Sequence, residues 1–246
     1  MRKKPYIKKI ATVSKFDVFY VDGPFIREHI DEEFTNFGQH FRFRFIPARE
    51  FWIDFERTPG EEEFFIDHLL VENRLMSQGW PYDKALEAAD RKERAERRKV
   101  DFMKKGIVPR PRRKELLADI HVRLLKKYCT PAVAVWIVDA EIVRDVYFID
   151  FTEGGHDKVY GFVPTGEVWL DDDLKFSELR FVLLHEVHER RLMATRDWPY
   201  HKAHRSASHI EYHCRHHPED LDRYLRDEIA LNAQSKVPRA RASSAK

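Results

Sequence analysis

Between Phe181 and Glu211 the chain gathers His185, Glu189, His204 and Glu211, which could hold a cation, and Glu186, which could work beside one. His185 and Glu189 stand four residues apart. On a helix such residues share a face, so an imidazole nitrogen and a carboxylate oxygen can converge on one ion. Glu186 projects to another side, where a carboxylate suits a general base acting on metal-activated water rather than a ligand. A catalytic zinc takes three protein ligands and keeps one position open, so the helical pair needs a third donor. His204 supplies it if the chain reverses near Asp197, which lies eight residues after Glu189 and seven before His204. Glu211, seven residues further on, returns to the same face near the level of His185. It is expected either as a fourth ligand or as the acceptor of a liganding histidine's second ring proton. The cofactor this predicts is a divalent metal ion, zinc first. His188, His156 and Arg191 are further candidates for the same site.

The segment His185-Glu186-Val187-His188-Glu189 resembles the HExxH helix of the zincins, with Glu189 in the place of the second histidine. That resemblance implies metal-dependent hydrolysis of a peptide or amide bond. It spans about a dozen residues, and no named family covers the chain as a whole. Two other readings stand beside it: a buried network of histidines and glutamates that satisfy one another without metal, and a structural metal bridging two helices. Both describe a non-enzymatic structural or interaction protein.

The same stretch occurs earlier. At an offset of 117, Val21 to Gly79 aligns without a gap on Val138 to Arg196, and 18 of the 59 positions are identical. Asp22/Asp139, Arg27/Arg144, Trp52/Trp169 and Asp54/Asp171 are among them, and after a one-residue insertion Trp80-Pro81-Tyr82 matches Trp198-Pro199-Tyr200. A period this long marks a paired domain, not a solenoid. His68, Glu72 and Glu93 match His185, Glu189 and Glu211, but Leu69 and Leu86 stand where Glu186 and His204 would be. The first copy is a degenerate counterpart, and chemistry is to be sought in what only the second has.

The elements that would position these groups repeat too. Val18 to Val21, Glu50 to Phe55, Val133 to Val138 and Glu167 to Asp171 read as strands, the last half-exposed. Phe41 to Ile46, Ile142 to Phe151 and Val159 to Val163 read likewise, which together predict an antiparallel meander in each repeat. A helix N-capped by Ser177 is expected to end near Ala194, and a second to run from Pro199 to about His216. A last amphipathic helix is expected over Leu221 to Leu231, and Glu115 to Tyr128 reads as a connecting helix. The predicted fold is α+β: a tandem duplication of a small antiparallel sheet followed by a helical hairpin, paired as an internal pseudo-dimer about a pseudo-twofold axis. Expected boundaries are 1–105 for the first repeat, 106–129 for linker and connecting helix, 130–235 for the second repeat, and 236–246 for a disordered basic tail.

Composition narrows the classes. Aromatic residues make up 13% of the 246 residues, 18 of them Phe, which suffices for a core and excludes a disordered chain. Lys and Arg (44) nearly balance Asp and Glu (42), so total charge does not point to nucleic acid. The local run 91–114 is rich in Arg and Lys and could meet phosphate, though its single aromatic residue, Phe102, is too little to interleave as stacking platforms. Cys129 and Cys214 form no metal-binding pair, and no apolar run is long enough to span a membrane. From Met1-Arg2-Lys3-Lys4 no leader peptide is expected, and a cytoplasmic setting is expected.

Overall fold

The computed structural model describes residues 5–56, 60–105, 113–149 and 151–233. The expected linker core, 106–112, and the expected tail after Ser235 lie outside them, so the basic run 91–114 is described only in part. The first repeat forms β1 (Tyr6–Val13), β2 (Phe16–Val21), α1 (Gly23–His29), β3 (Phe37–Gln39), β4 (Glu50–Asp54), α2 (Glu62–Ser77) and α3 (Tyr82–Lys105). After α4 (Arg113–Ile120) the second repeats that order: β5 (His121–Leu124), β6 (Ala134–Val138), α5 (Ala140–Val146), β7 (Gly154–His156), β8 (Glu167–Asp171), α6 (Phe176–Arg196) and α7 (Tyr200–His216). It then adds α8 (Leu221–Ala233), because Pro218 follows α7 and turns the chain, whereas α3 runs on to Lys105. The strand orders β1-β2-β4-β3 and β5-β6-β8-β7 match. The molecule is an α+β fold built by internal duplication.

Several local expectations differ from what forms. In the first sheet β1/β2 and β3/β4 are antiparallel, but β2 and β4 run parallel, from Asp17 opposite Glu50 to Val21 opposite Asp54. A helix intervenes after β2, so the chain crosses over instead of meandering. Its signal is an aspartate. Asp22 accepts from the Phe25 amide at 3.0 Å and Asp139 from the Ile142 amide at 2.9 Å, each capping a helix N-terminus. The cap outweighs the β-branched residues of Ile142 to Phe151, and α5 forms there. Phe41 to Ile46 and Val159 to Val163 turn back on themselves, as in Ile46 N–H to Phe43 O and Val163 N–H to Tyr160 O. Their apolar side chains plug the core from loops: Phe43, Ile46 and Val163 are buried. The connecting helix stops at Ile120, and His121 to Leu124 pairs into the second sheet as β5.

Sheet burial explains one further difference. On β2 and β4, Phe16, Val18, Phe51 and Ile53 pack against Phe65 and Leu69 of α2, while Val21 and Trp52 pack on the other face against Ile26, Phe34, Phe43 and Ile46. With both faces covered the strand has no wet side. Val168 to Asp171 of β8 are accordingly all buried, not half-exposed.

Contacts divide the chain into two compact units. One holds the chain up to Val122 with Val138–Glu153 and Asp171–Leu179; the other holds Arg123–Ile137, Gly154–Leu170 and the chain from Arg180. Within the first unit lie two buried guanidinium groups at matching repeat positions. Arg27 bonds the Phe34 carbonyl (3.2 Å), Asp54 (2.9 Å), Glu153 (2.9 Å) and Glu178 (3.1 Å). Arg144 bonds the Phe151 carbonyl (3.1 Å), Asp171 (3.1 Å) and Glu61 (2.6 Å). Glu61 and Glu178 are themselves matching positions, so each repeat's arginine takes the other repeat's glutamate. Glu167 accepts from Trp169 Nε1 at 2.7 Å, as Glu50 does from Trp52 Nε1 at 2.8 Å. Removing one partner of a buried ion pair strands the others, which typically costs about 3–5 kcal/mol. Arg27→Ala and Arg144→Ala should each lose stability on that scale in urea titrations. A loss under about 1 kcal/mol would mean that these clusters do not hold the unit together.

The first unit also carries a charged histidine. His68 is fully buried, its Nδ1 2.9 Å from Glu93 and its Nε2 3.5 Å from Glu72. Burial opposes its charge, but Glu72 and Glu93 outweigh it and push the imidazole up to about 10 from its ordinary 6.5. A raised folded value stabilises fully below the unfolded pKa, and the gain fades as pH rises towards 10. Melting temperature should therefore fall between pH 7 and 10, and His68→Gln should flatten that slope. An unchanged slope would show that His68 is neutral.

Candidate metal centre

The cluster lies wholly in the second unit, on two antiparallel helices. The reversal between α6 and α7 falls at Asp197, whose φ of 49° is left-handed; Gly79 takes the equivalent place in the first repeat with φ 88°. The turn sets His204 of α7 opposite Glu189 of α6. Glu189 Oε2 lies 2.9 Å from His204 Nδ1 and 3.5 Å from His185 Nε2, and the two nitrogens are 3.0 Å apart. His185, Glu189 and His204 each offer one donor atom within 4.8 Å of the others, a group able to hold a metal ion. Two imidazoles and a carboxylate make a His2Glu donor set, which suits zinc and other first-row divalent ions.

The surroundings aim these atoms. Glu211 Oε2 accepts from His185 Nδ1 at 2.8 Å, which turns Nε2 of His185 towards the cluster. Burial opposes a charge on that ring, but Glu189 and Glu211 outweigh it and hold the imidazole protonated well above its ordinary range, so a metal ion would have to displace the Nε2 proton. Arg215 fixes the other oxygen of Glu211 through Nε (3.0 Å) and Nη2 (2.7 Å) and lies over the Phe181 ring. Burial opposes ionisation of Glu211, but His185 and Arg215 hold it down at about 2. Glu189 is bound from behind. The Lys158 amide donates to His156 Nδ1 at 3.1 Å, so the ring proton of His156 sits on Nε2 and is donated to Glu189 Oε1 at 3.0 Å. Burial works against a charged Glu189, yet the imidazoles facing it keep it well below the usual carboxylate range.

Glu186 sits one residue from the first donor, with its Cγ 3.2 Å from where a side chain on Gly154 would begin. Burial pushes its carboxyl up to about 8, against the pull of His185. His188 and Arg191 are not brought to the cluster. Both turn to α8, where Glu228 meets His188 Nδ1 at 2.7 Å and Arg191 Nη2 at 2.9 Å, and Ser206 closes His188 Nε2 at 2.9 Å. The histidines near the end of α7 are spent locally, His213 on Asp220 and His216 on the Tyr212 carbonyl.

The degenerate counterpart has the same frame without the convergence. His68 takes Glu93 as His185 takes Glu211, and Arg97 grips Glu93 at 3.0 Å as Arg215 grips Glu211. Gln39 Nε2 donates to Glu72 at 2.6 Å in the place of His156. Leu86 offers no donor opposite. Phe37 lies with its ring 5.1 Å from that of His68, and Gly154 replaces it in the second repeat. Sequence reasoning missed Gly154 and Arg215, though the Phe37/Gly154 column of the internal alignment held the first signal. Comparison with known proteins adds no relative: no family model, curated protein or solved structure matches the chain.

Because Gln39 performs the task of His156, a glutamine should replace it. His156→Gln should keep zinc affinity within a few-fold, while His156→Ala should weaken it by about 10–100-fold, the usual cost of losing a ligand's hydrogen-bond partner. Competition titration against a chromogenic chelator reads both. Equal losses in the two variants would reject the positioning role.

Proposed function

We propose that this is a metal-binding protein whose second repeat holds one divalent cation, zinc by its donor set, between His185 Nε2, Glu189 Oε2 and His204 Nδ1. The observation that carries the reading is the Glu211–His185 bond, which aims His185 Nε2 at the point that Glu189 and His204 also face. An ion there would tie the two helices together. The first reading is accordingly a structural metal in a non-enzymatic protein, set in the cytoplasm, which its two free cysteines favour. No helix among the described residues is long and apolar enough to cross a membrane.

A second reading is supported by the paired replacement of Phe37 by Gly154 and of Leu69 by Glu186. The first swap removes a ring from beside the liganding histidine, and the second puts a carboxylate there. A bound ion would supply Lewis acidity. Glu186 would take a proton from an attacking water and return it to the leaving amine, which makes the chemistry peptide or amide hydrolysis.

Metal analysis of untagged protein purified without chelator should find about one equivalent of zinc, and none in Glu189→Ala or His204→Ala. Adding zinc to the metal-free protein at about 100 times its dissociation constant should stabilise it by about 2.7 kcal/mol. Absence of stoichiometric metal would sink both readings. Glu186→Gln then separates them: it should spare the metal, and if the protein cleaves a fluorogenic peptide library the variant should not.

A further inference from the structure

Among the described residues no helix is seated on α2 as α8 is seated on α6, and α2 keeps the surface where such a helix would lie. In the second unit α8 docks on α6 through one face, Leu221, Leu225, Glu228 and Asn232, spaced four, three and four residues apart. Glu228 pairs with Arg191, and Asn232 Nδ2 donates to the Val187 carbonyl at 2.9 Å. Under this cover Val187, His188 and Arg191 are 1%, 5% and 8% exposed. The matching residues on α2 are Leu70, Val71 and Arg74. They line a groove of about 400 Å³, closed at one side by Lys15 and Phe16 of the β1–β2 turn and at another by Lys92. Leu70 and Val71 are only partly buried, and Arg74 is exposed.

We propose that this groove on α2 is a docking site for an amphipathic, net-acidic helix of a partner protein, seated as α8 is seated on α6. The chain itself supplies the template for the occupant: apolar residues four apart and a carboxylate three beyond the second, placed to meet Arg74 as Glu228 meets Arg191. Charge selects for the same partner. Lys92 is paired with Asp67 at 2.8 Å, whereas Lys15 lies over the Phe16 ring and Arg74 opens to solvent, leaving the groove positive. The chain's own end is a poor occupant on this ground, since residues 234–246 carry Lys236, Arg239, Arg241 and Lys246 and no acid. The α8 sequence, by contrast, carries Asp222, Asp227 and Glu228 against Arg223 and Arg226. Helix-in-groove recognition of this kind is read by anchors at such spacings.

The test uses the full chain and a fluorescein-labelled, helix-stabilised peptide of sequence Leu221 to Ala233, followed by fluorescence anisotropy. The peptide should bind saturably, and Arg74→Glu should weaken binding at least tenfold without lowering the melting temperature. A peptide carrying Glu228→Arg should fail on the unmodified chain and recover on the Arg74→Glu chain. No saturable binding, or binding indifferent to Arg74, would overturn the proposal, the second outcome placing the peptide on α6 in exchange for α8. Sedimentation of the chain alone adds a further check: self-association abolished by Arg74→Glu would assign the groove to a second copy and overturn the partner.

Discussion

Two buried arginines set the geometry on which everything else depends. Arg27 and Arg144 each reach three kinds of group: a loop carbonyl, the aspartate ending a central strand (Asp54 or Asp171), and the glutamate at the start of a long helix (Glu178 or Glu61). A guanidinium is suited to this role because it stays charged when buried and presents donors in several directions at once. Desolvating such a group is costly, and only a fully bonded shell offsets the cost. The exchange of glutamates between matching positions means that neither repeat completes its shell alone. The first turn of α6, which carries Glu178, is held by this requirement.

Built on that frame, the two repeats show how small a change separates a buried ion pair from a chelating group. In the first, His68 stands between Glu72 and Glu93, and Arg97 brings a second cation to Glu93. In the second, His204 replaces a leucine at the level of Glu189, and three donor atoms face one point. The supporting bonds barely differ. Glutamate and arginine hold the histidine from one side, and a side-chain N–H at the end of a short strand, from Gln39 of β3 or His156 of β7, holds the carboxylate from the other. A side chain held on both sides loses little further freedom on binding, so the frame that stabilises one repeat pre-organises the other.

How much of this the sequence disclosed follows from the range of each interaction. The helix pairing was legible because it rests on periods of three and four residues and on a reversal whose position two proline-marked segments bracket. His185, Glu189, His204 and Glu211 could be placed on facing helices from counting alone, and the structure brings them together. The parallel strand pair was not legible, because the deciding contact was the Asp22 or Asp139 cap, a local bond that overrode β-rich composition in the following residues. The partners of His188 and Arg191 were out of reach for another reason: Glu228 lies 40 and 37 residues away on α8, a helix that has no counterpart to align.

The replacement of Phe37 by Gly154 bears on what the cluster can do. Glycine in a short buried strand sacrifices side-chain packing and backbone restraint. At Gly154 an added carbon would lie 3.1 Å from the Trp169 carbonyl, 3.1 Å from Val182 and 3.2 Å from Glu186, so even a methyl group would press on all three. The two substitutions are thus coupled by volume. An aromatic ring and a leucine fill the space in one repeat, and a carboxylate with no side chain opposite fills it in the other. Burial raises the ionisation of that carboxyl to about 8, against the pull of His185, so the swap changes the charge beside the donors as well as the packing.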